Sequence, residues 1–124
     1  QPGQGIPNGL EYERINVYVV ECINKDPAYI YGKRVWYVDP ESYLILYSDI
    51  YDENARYWKC FMNMTAPVKT IAGDAKMFIT GTVFPDFNRT HSGLSNQQHF
   101  YEPKIGDPKA TAKIFTISNL QKTY

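Results

Sequence analysis

Between Glu11 and Thr65, short apolar runs rich in β-branched and aromatic residues are interrupted by turn residues at regular intervals. That spacing predicts an antiparallel meander, since short turns join antiparallel neighbours. Arg14 to Ile23 (R-I-N-V-Y-V-V-E-C-I) reads as the first strand and Asn24-Lys25-Asp26-Pro27 ends it. Ile30 to Val38 is the second strand. Asp39-Pro40-Glu41-Ser42 then fits a type I turn, with Pro where its fixed φ is wanted. Leu44 to Tyr51 is the third strand, followed by a turn at Asp52-Glu53-Asn54 in which Asn54 is expected to take the left-handed conformation. Arg56 to Met64 is the fourth.

The second half is less regular. Lys76 to Phe84 predicts a fifth strand with a bulge at Gly81, and Pro85 to Gln98 reads as a polar loop. Phe100 to Ile105 is expected to pair weakly, and Thr111 to Thr116 to form a last short strand. Ser118 is expected to cap one closing helical turn through Leu120 and Lys122. No segment keeps a helical period over a dozen residues.

Antiparallel sheets usually show one apolar and one polar face. Here alternation puts apolar residues on both. Val17 and Val19 oppose Tyr18 and Val20. Leu44, Leu46 and Ile50 oppose Ile45, Tyr47 and Tyr51. Trp58, Cys60, Met62 and Met64 oppose Tyr57 and Phe61. Both faces therefore need cover, from the sheet curling on itself, from more protein, from a partner or from a ligand.

The 124 residues suit one domain, residues 11–124, behind an extended arm over residues 1–10 (Q-P-G-Q-G-I-P-N-G-L) that is half Gly and Pro. Beginning at Gln1 and not at Met, the chain is expected to be processed or cut from something longer. It shows neither a signal-peptide pattern nor an apolar run long enough for a membrane span. Thirteen basic residues balance thirteen acidic ones, which argues against nucleic acid as a partner and against a polybasic membrane-surface role. Eleven tyrosines reinforce the leaning to sheet. The two cysteines, Cys22 and Cys60, fit no metal motif, and a disulfide between them and a pair of buried free thiols are both open.

One order of motifs is familiar. Glu13-Arg14, Val17-Tyr18-Val19-Val20-Glu21, Tyr31-Gly32-Lys33-Arg34-Val35-Trp36-Tyr37-Val38-Asp39, Tyr51-Asp52 and Tyr57-Trp58-Lys59 follow one another from Glu11 to Phe61. This segment resembles the C-terminal part of an uncharacterised bacterial envelope family related to the Lol-type carriers that sort outer-membrane lipoproteins. Beyond about 50 residues the match thins to Val83, Asp86 and His91. Members of that family often carry Gly in the second hairpin, where this chain reads Asn54-Ala55. The resemblance implies a mainly β, curved antiparallel sheet of half-barrel type that holds acyl chains. It also implies a periplasmic address, and a chain that is a fragment of a longer protein.

The candidate chemistry points away from an enzyme. A glycosidase would need two carboxyls facing across a cleft, but of Asp39, Glu41, Asp49, Asp52 and Glu53 all except Asp49 fall in turns, where such residues are ordinary. His91 and His99 lack the further ligands that zinc requires, and no cofactor motif is present. The Gly-x-Ser-x-Gly pattern is absent around Ser92 and Ser95. Asn63 and Asn88 begin glycosylation sequons, which carry meaning only in a secreted eukaryotic protein. Arg34, two residues from Trp36 on one strand face, reads as a sheet-face ion pair or a snorkelled arginine, or else as a contact to a carboxylate or ligand headgroup or a stack on an aromatic ring. The set Arg34, Trp36, Tyr47, Trp58, Phe61 and Met62, with Met64 beside it, is expected to line a site for a lipid or other apolar ligand, or else to form an ordinary core. The alternative function is a structural or interaction module whose second apolar face packs on another chain, on the missing part of its own chain, or on a copy of itself.

Overall fold

The computed structural model describes residues 11–96 and 105–121. Six strands, β1 (Tyr18–Ile23), β2 (Tyr31–Val38), β3 (Ile45–Asp52), β4 (Tyr57–Lys69), β5 (Ala75–Asp86) and β6 (His91–Asn96), form one sheet in sequential order. Every neighbouring pair is antiparallel. The sheet is an open meander with β1 and β6 as its two edges, not a closed barrel. Substantial packing between elements is confined to neighbouring strands, and among the described residues no helix covers either face.

The four strands expected in the first half are present, with the first shortened to Tyr18–Ile23. The fourth runs past Met64 to Lys69, because Thr65–Lys69 pairs with the start of β5. Three expectations for the second half are overturned. The stretch expected to be loop contains β6, whose residues His91, Ser92, Gly93, Leu94 and Ser95 are mostly polar or small. This strand exists because the outer edge of β5 offers a ladder for it to complete. The last expected strand is instead a 3-10 turn at Ala112–Ile114. The closing helical turn, α1 (Ile117–Leu120), is capped by Thr116 and not Ser118: the Thr116 hydroxyl accepts from the Asn119 N–H. The arm over residues 1–10 lies outside the described residues, as does most of the pairing expected for Phe100 to Ile105.

An aspartate organises each hairpin. Asp26, Asp39, Asp52, Asp74 and Asp86 stand at the five turns. Asp26 accepts from the Ala28 N–H, Asp39 from the Ser42 N–H and Asp86 from the Asn88 N–H. Asp52 accepts from the backbone N–H groups of Asn54 and Arg56 and from Arg56 Nε at 2.8 Å. Asp74 accepts from the Thr70 hydroxyl. Those hydrogen bonds stabilise the ionised carboxylates of Asp39, Asp52 and Asp74 and hold all three below the usual range. Left-handed backbone falls on Ala55 (φ 59°), not on Asn54, and also on Tyr43 and Thr90.

Four register shifts interrupt the ladders, at Tyr31/Lys33, Tyr37/Val38, Ile50/Tyr51 and Met64/Thr65. The last lies opposite Gly81 and Ile79, so the bulge expected at Gly81 falls beside it. The first contains Gly32, where a Cβ would come within 2.5 Å of the Asp52 carbonyl oxygen, so only glycine fits. Bulges of this kind sharpen the local twist and re-aim side chains. The core is very small. Among the described residues, the buried ones are Ile50, Cys60, Val83, Ser48 and the backbone at Gly81. They sit in the middle of β3, β4 and β5, where each strand has a neighbour on both sides.

Candidate functional site

The pairing registers sort the side chains into rows that cross the sheet. On one face Val20, Trp36, Ser48 and Phe61 are successive cross-strand partners. The Phe61 ring meets that of Phe84 at 5.8 Å, and Phe84 pairs with Gly93, whose missing side chain leaves room for the ring. The next row on this face reads Cys22, Arg34, Ile50, Lys59, Asp86, His91. An aromatic row thus lies beside a row with cationic members, two residues and roughly 7 Å along the strands. This surface is the Arg34 face.

Around Arg34 the β1–β2 end of the sheet forms a pocket of about 210 Å³, lined by Cys22, Ile23, Asn24, Tyr29, Tyr31, Arg34 and Trp36. The guanidinium lies over the rings of Tyr29 and Tyr31, 5.2 and 5.0 Å from their centroids, and donates to the Tyr29 hydroxyl. Lys59 lies over the same Tyr31 ring at 5.1 Å and donates to its hydroxyl at 3.1 Å. Its ammonium is also 4.2 Å from the Trp58 ring centroid and 3.8 Å from Asp86, while Trp58 Nε1 donates to Asp86. Lys59 therefore has a carboxylate partner. Among the described residues, Arg34 has none.

The opposite face, the Asp49 face, carries its own row: Val19, Tyr37, Tyr47, Met62, Val83, Leu94. Its polar groups pair with one another. Tyr37 donates to Asp49 at 2.8 Å, the Tyr47 and Tyr57 hydroxyls lie 3.2 Å apart, and Lys33 pairs with Glu21 at 2.8 Å. Donation to Asp49 raises the Tyr37 phenol above its usual range, and burial does the same to Tyr47 and Tyr57. The bond to Glu21 raises Lys33.

The residues expected to share one site are divided between these faces. Arg34, Trp36, Trp58 and Phe61 lie on the Arg34 face, whereas Tyr47 and Met62 lie on the other. The expected grouping of Trp58 with Cys60 and Met62, against Tyr57 and Phe61, fails for a local reason. Ile50 pairs with Lys59 and Tyr51 with Tyr57, so Trp58 is an extra residue in β4. That bulge sends Trp58 towards Tyr31 and turns Tyr57 towards Tyr47 and Tyr51. Tyr29, Tyr31, Lys59 and Phe84 join the site although the sequence reading omits them. The sole sequence signal for them was Gly32, a glycine inside a strand pattern, which marks the bulge behind Tyr31.

A Cys22–Cys60 bridge is not made. Both are free thiols, on opposite faces and three strand spacings apart, about 14 Å, well beyond disulfide reach. His91 stands on the edge strand β6, His99 lies outside the described residues, and no metal-binding cluster occurs among the described residues. Asn63 donates to the Ile45 carbonyl and accepts from Thr82, so its amide works inside the sheet.

This two-faced open sheet has relatives. The model of the family described as protein of unknown function (DUF1329) matches residues 1–121. The chain belongs to DUF1329. One solved DUF1329 protein, from Desulfovibrio piger, superposes with a TM-score of 0.52 at 20% identity, over 85% of this chain and 41% of that one. A domain from Vibrio parahaemolyticus named for outer-membrane lipoprotein sorting superposes with a TM-score of 0.53, also at 20% identity, over 75% of this chain and 42% of that one. At that identity the two likenesses establish the fold. The chain spans less than half the length of either structure. No curated protein sequence matches it significantly.

Proposed function

We propose that this DUF1329 chain is a non-enzymatic part of a longer protein of the bacterial envelope, periplasmic or otherwise exported, that binds or transfers a lipid or other apolar ligand. The observation that carries the reading is the row Val20, Trp36, Ser48, Phe61 and Phe84, partly exposed on either side of the buried Ser48, on which no other described element packs. Each ligand CH₂ buried on such a row contributes up to about 0.8 kcal/mol, so shape and burial suffice without reacting groups. The neighbour named for lipoprotein sorting supports the reading through its fold. Arg34, Trp36, Trp58 and Phe61 are the proposed ligand contacts, while Tyr47 and Met62 form part of the second face. Solvent extraction and mass spectrometry of detergent-free protein from its natural source test the proposal. A stoichiometric lipid is expected. A clean extract, with no saturable displacement of a neutral apolar dye from the same protein, overturns it.

One observation favours a protein-interaction module as the second reading. Edge strand β1 exposes Tyr18, Val19, Val20 and Ile23 by 40 to 69%, and exposed apolar strand edges pair readily with other strands. Concentration-dependent association in light scattering, together with a blank extract, would favour that reading.

A further inference from the structure

Resting on the ligand-binding reading, we propose that the pocket at Arg34 captures the anionic end of an amphiphile, a carboxylate or a phosphate, whose chain lies along the aromatic row. Three features of the Arg34 face lead there. First, Arg34 is a half-buried cation with no carboxylate partner among the described residues, although the other cation beside Tyr31, Lys59, has Asp86. An incoming anion meets a partly exposed guanidinium with no competing carboxylate and gains charge-assisted, bidentate hydrogen bonds. Second, the group is oriented. Its guanidinium carbon lies 5.2 and 5.0 Å from the Tyr29 and Tyr31 ring centroids, and among the described residues one bond, to Tyr29, is the only use made of its five N–H donors. Third, the polar and apolar parts adjoin in the order an amphiphile presents them. Cys22, Ile23 and Trp36 share the pocket with Arg34, and Trp36 opens the row that continues through Ser48 to Phe61 and Phe84.

Ser48 adds a detail. Among the described residues its buried hydroxyl has no hydrogen-bond partner, and it lies in the row between Trp36 and Phe61. The Asp49 face lacks this arrangement. Its cation, Lys33, is paired with Glu21, and its carboxylate, Asp49, is already held by Tyr37.

The test is displacement of a neutral fluorescent dye, N-phenyl-1-naphthylamine, from the intact protein. Competitors are oleate, methyl oleate and monooleoyl phosphatidic acid, with inorganic phosphate as the chainless anion. Oleate and the phosphate lipid are expected to displace at about tenfold lower concentration than the ester, since a charge-assisted bond is worth roughly that factor. Their ranking tells carboxylate from phosphate, and inorganic phosphate alone is expected to displace nothing. Arg34→Gln is expected to abolish the preference, so that oleate and methyl oleate displace at the same concentration. Lys33→Gln, on the opposite face, is expected to preserve it and controls for general loss of charge. Equal displacement by oleate and its ester in the wild type overturns the anion site alone. Failure of every chain-bearing competitor overturns the ligand-binding reading as well.

Discussion

On the Asp49 face Tyr37, Asp49, Tyr47, Tyr57, Lys33 and Glu21 satisfy one another, whereas on the Arg34 face a guanidinium lies over two tyrosine rings and a buried serine hydroxyl has no partner among the described residues. Both faces carry an apolar row of similar length, so hydrophobicity does not distinguish them. Polar satisfaction does. A face whose polar groups are closed within the protein serves the fold, and a face that leaves them open is the one with something to offer a ligand.

Where the two faces meet the middle of the sheet they should behave alike, and there the largest effects are expected. Ile50 is 1% exposed on the Arg34 face and Val83 is fully buried on the Asp49 face. Ile50→Ala should cost about 2–5 kcal/mol and Val83→Ala roughly 2 kcal/mol, measured by urea unfolding. In a chain with so few buried side chains, the first of these removes a large part of a total that is typically about 5–15 kcal/mol. By contrast, Val19→Ala on the exposed edge strand should change stability by less than about 0.5 kcal/mol. A comparable loss at Val19 would mean that β1 is covered in solution.

Polar substitutions should then separate the faces. Asp49→Ala strands the Tyr37 hydroxyl and should cost about 1–3 kcal/mol. Arg34→Gln gives up two aromatic contacts at an accessible site and should cost under about 1 kcal/mol. If the two variants melted alike, the guanidinium would have a structural partner and the contrast between the faces would fail.

The sequence made the first four strands legible because each ends at residues with a mechanism for turning: Asn24 to Pro27, Asp39-Pro40 and Asp52 to Asn54. Alternation already sets Phe61 against Met62, but it did not make the face of Trp58 legible, because strand alternation is a count of two and one inserted residue reverses it. Trp58 is that residue, and nothing in Arg56-Tyr57-Trp58-Lys59 marks it as a bulge. β6 was hidden for a different reason. Its residues have little preference for strand, and its formation depends on the long partner β5. The Arg34–Trp36 pairing on one face was readable, since both lie in an uninterrupted run of β2, while Tyr31, Lys59 and Phe84 required the cross-strand register.

A smaller effect probes the hairpin that carries the Trp58 bulge. Ala55 holds φ at 59°, where a Cβ is strained, in the turn between β3 and β4. Ala55→Gly should raise stability by about 1 kcal/mol in thermal or urea unfolding, whereas Asn54→Gly should not. A gain at residue 54 and not at 55 would move the left-handed residue back to where the sequence reading expected it.

The gentlest test varies pH and leaves the chain intact. Asp39, Asp52 and Asp74 have folded pKa values below their unfolded ones, so their contribution is present above about pH 4 and is lost as pH falls through the folded values. That acid limb belongs to the hairpins. The alkaline limb belongs to the Asp49 face. Tyr37, Tyr47 and Tyr57 keep their protons to higher pH when folded than when unfolded, so stability should decline as pH rises beyond about 10. Lys33, raised by its bond to Glu21, contributes below its unfolded value and loses that contribution as pH rises through the folded one, so it acts in the same direction. Urea titrations from pH 3 to 11 should therefore show a plateau between two declines, and Tyr47→Phe with Tyr57→Phe should flatten the upper one. An alkaline decline that survived that double substitution unchanged would place its origin outside the tyrosine pair, leaving Tyr37 and Lys33 to account for it.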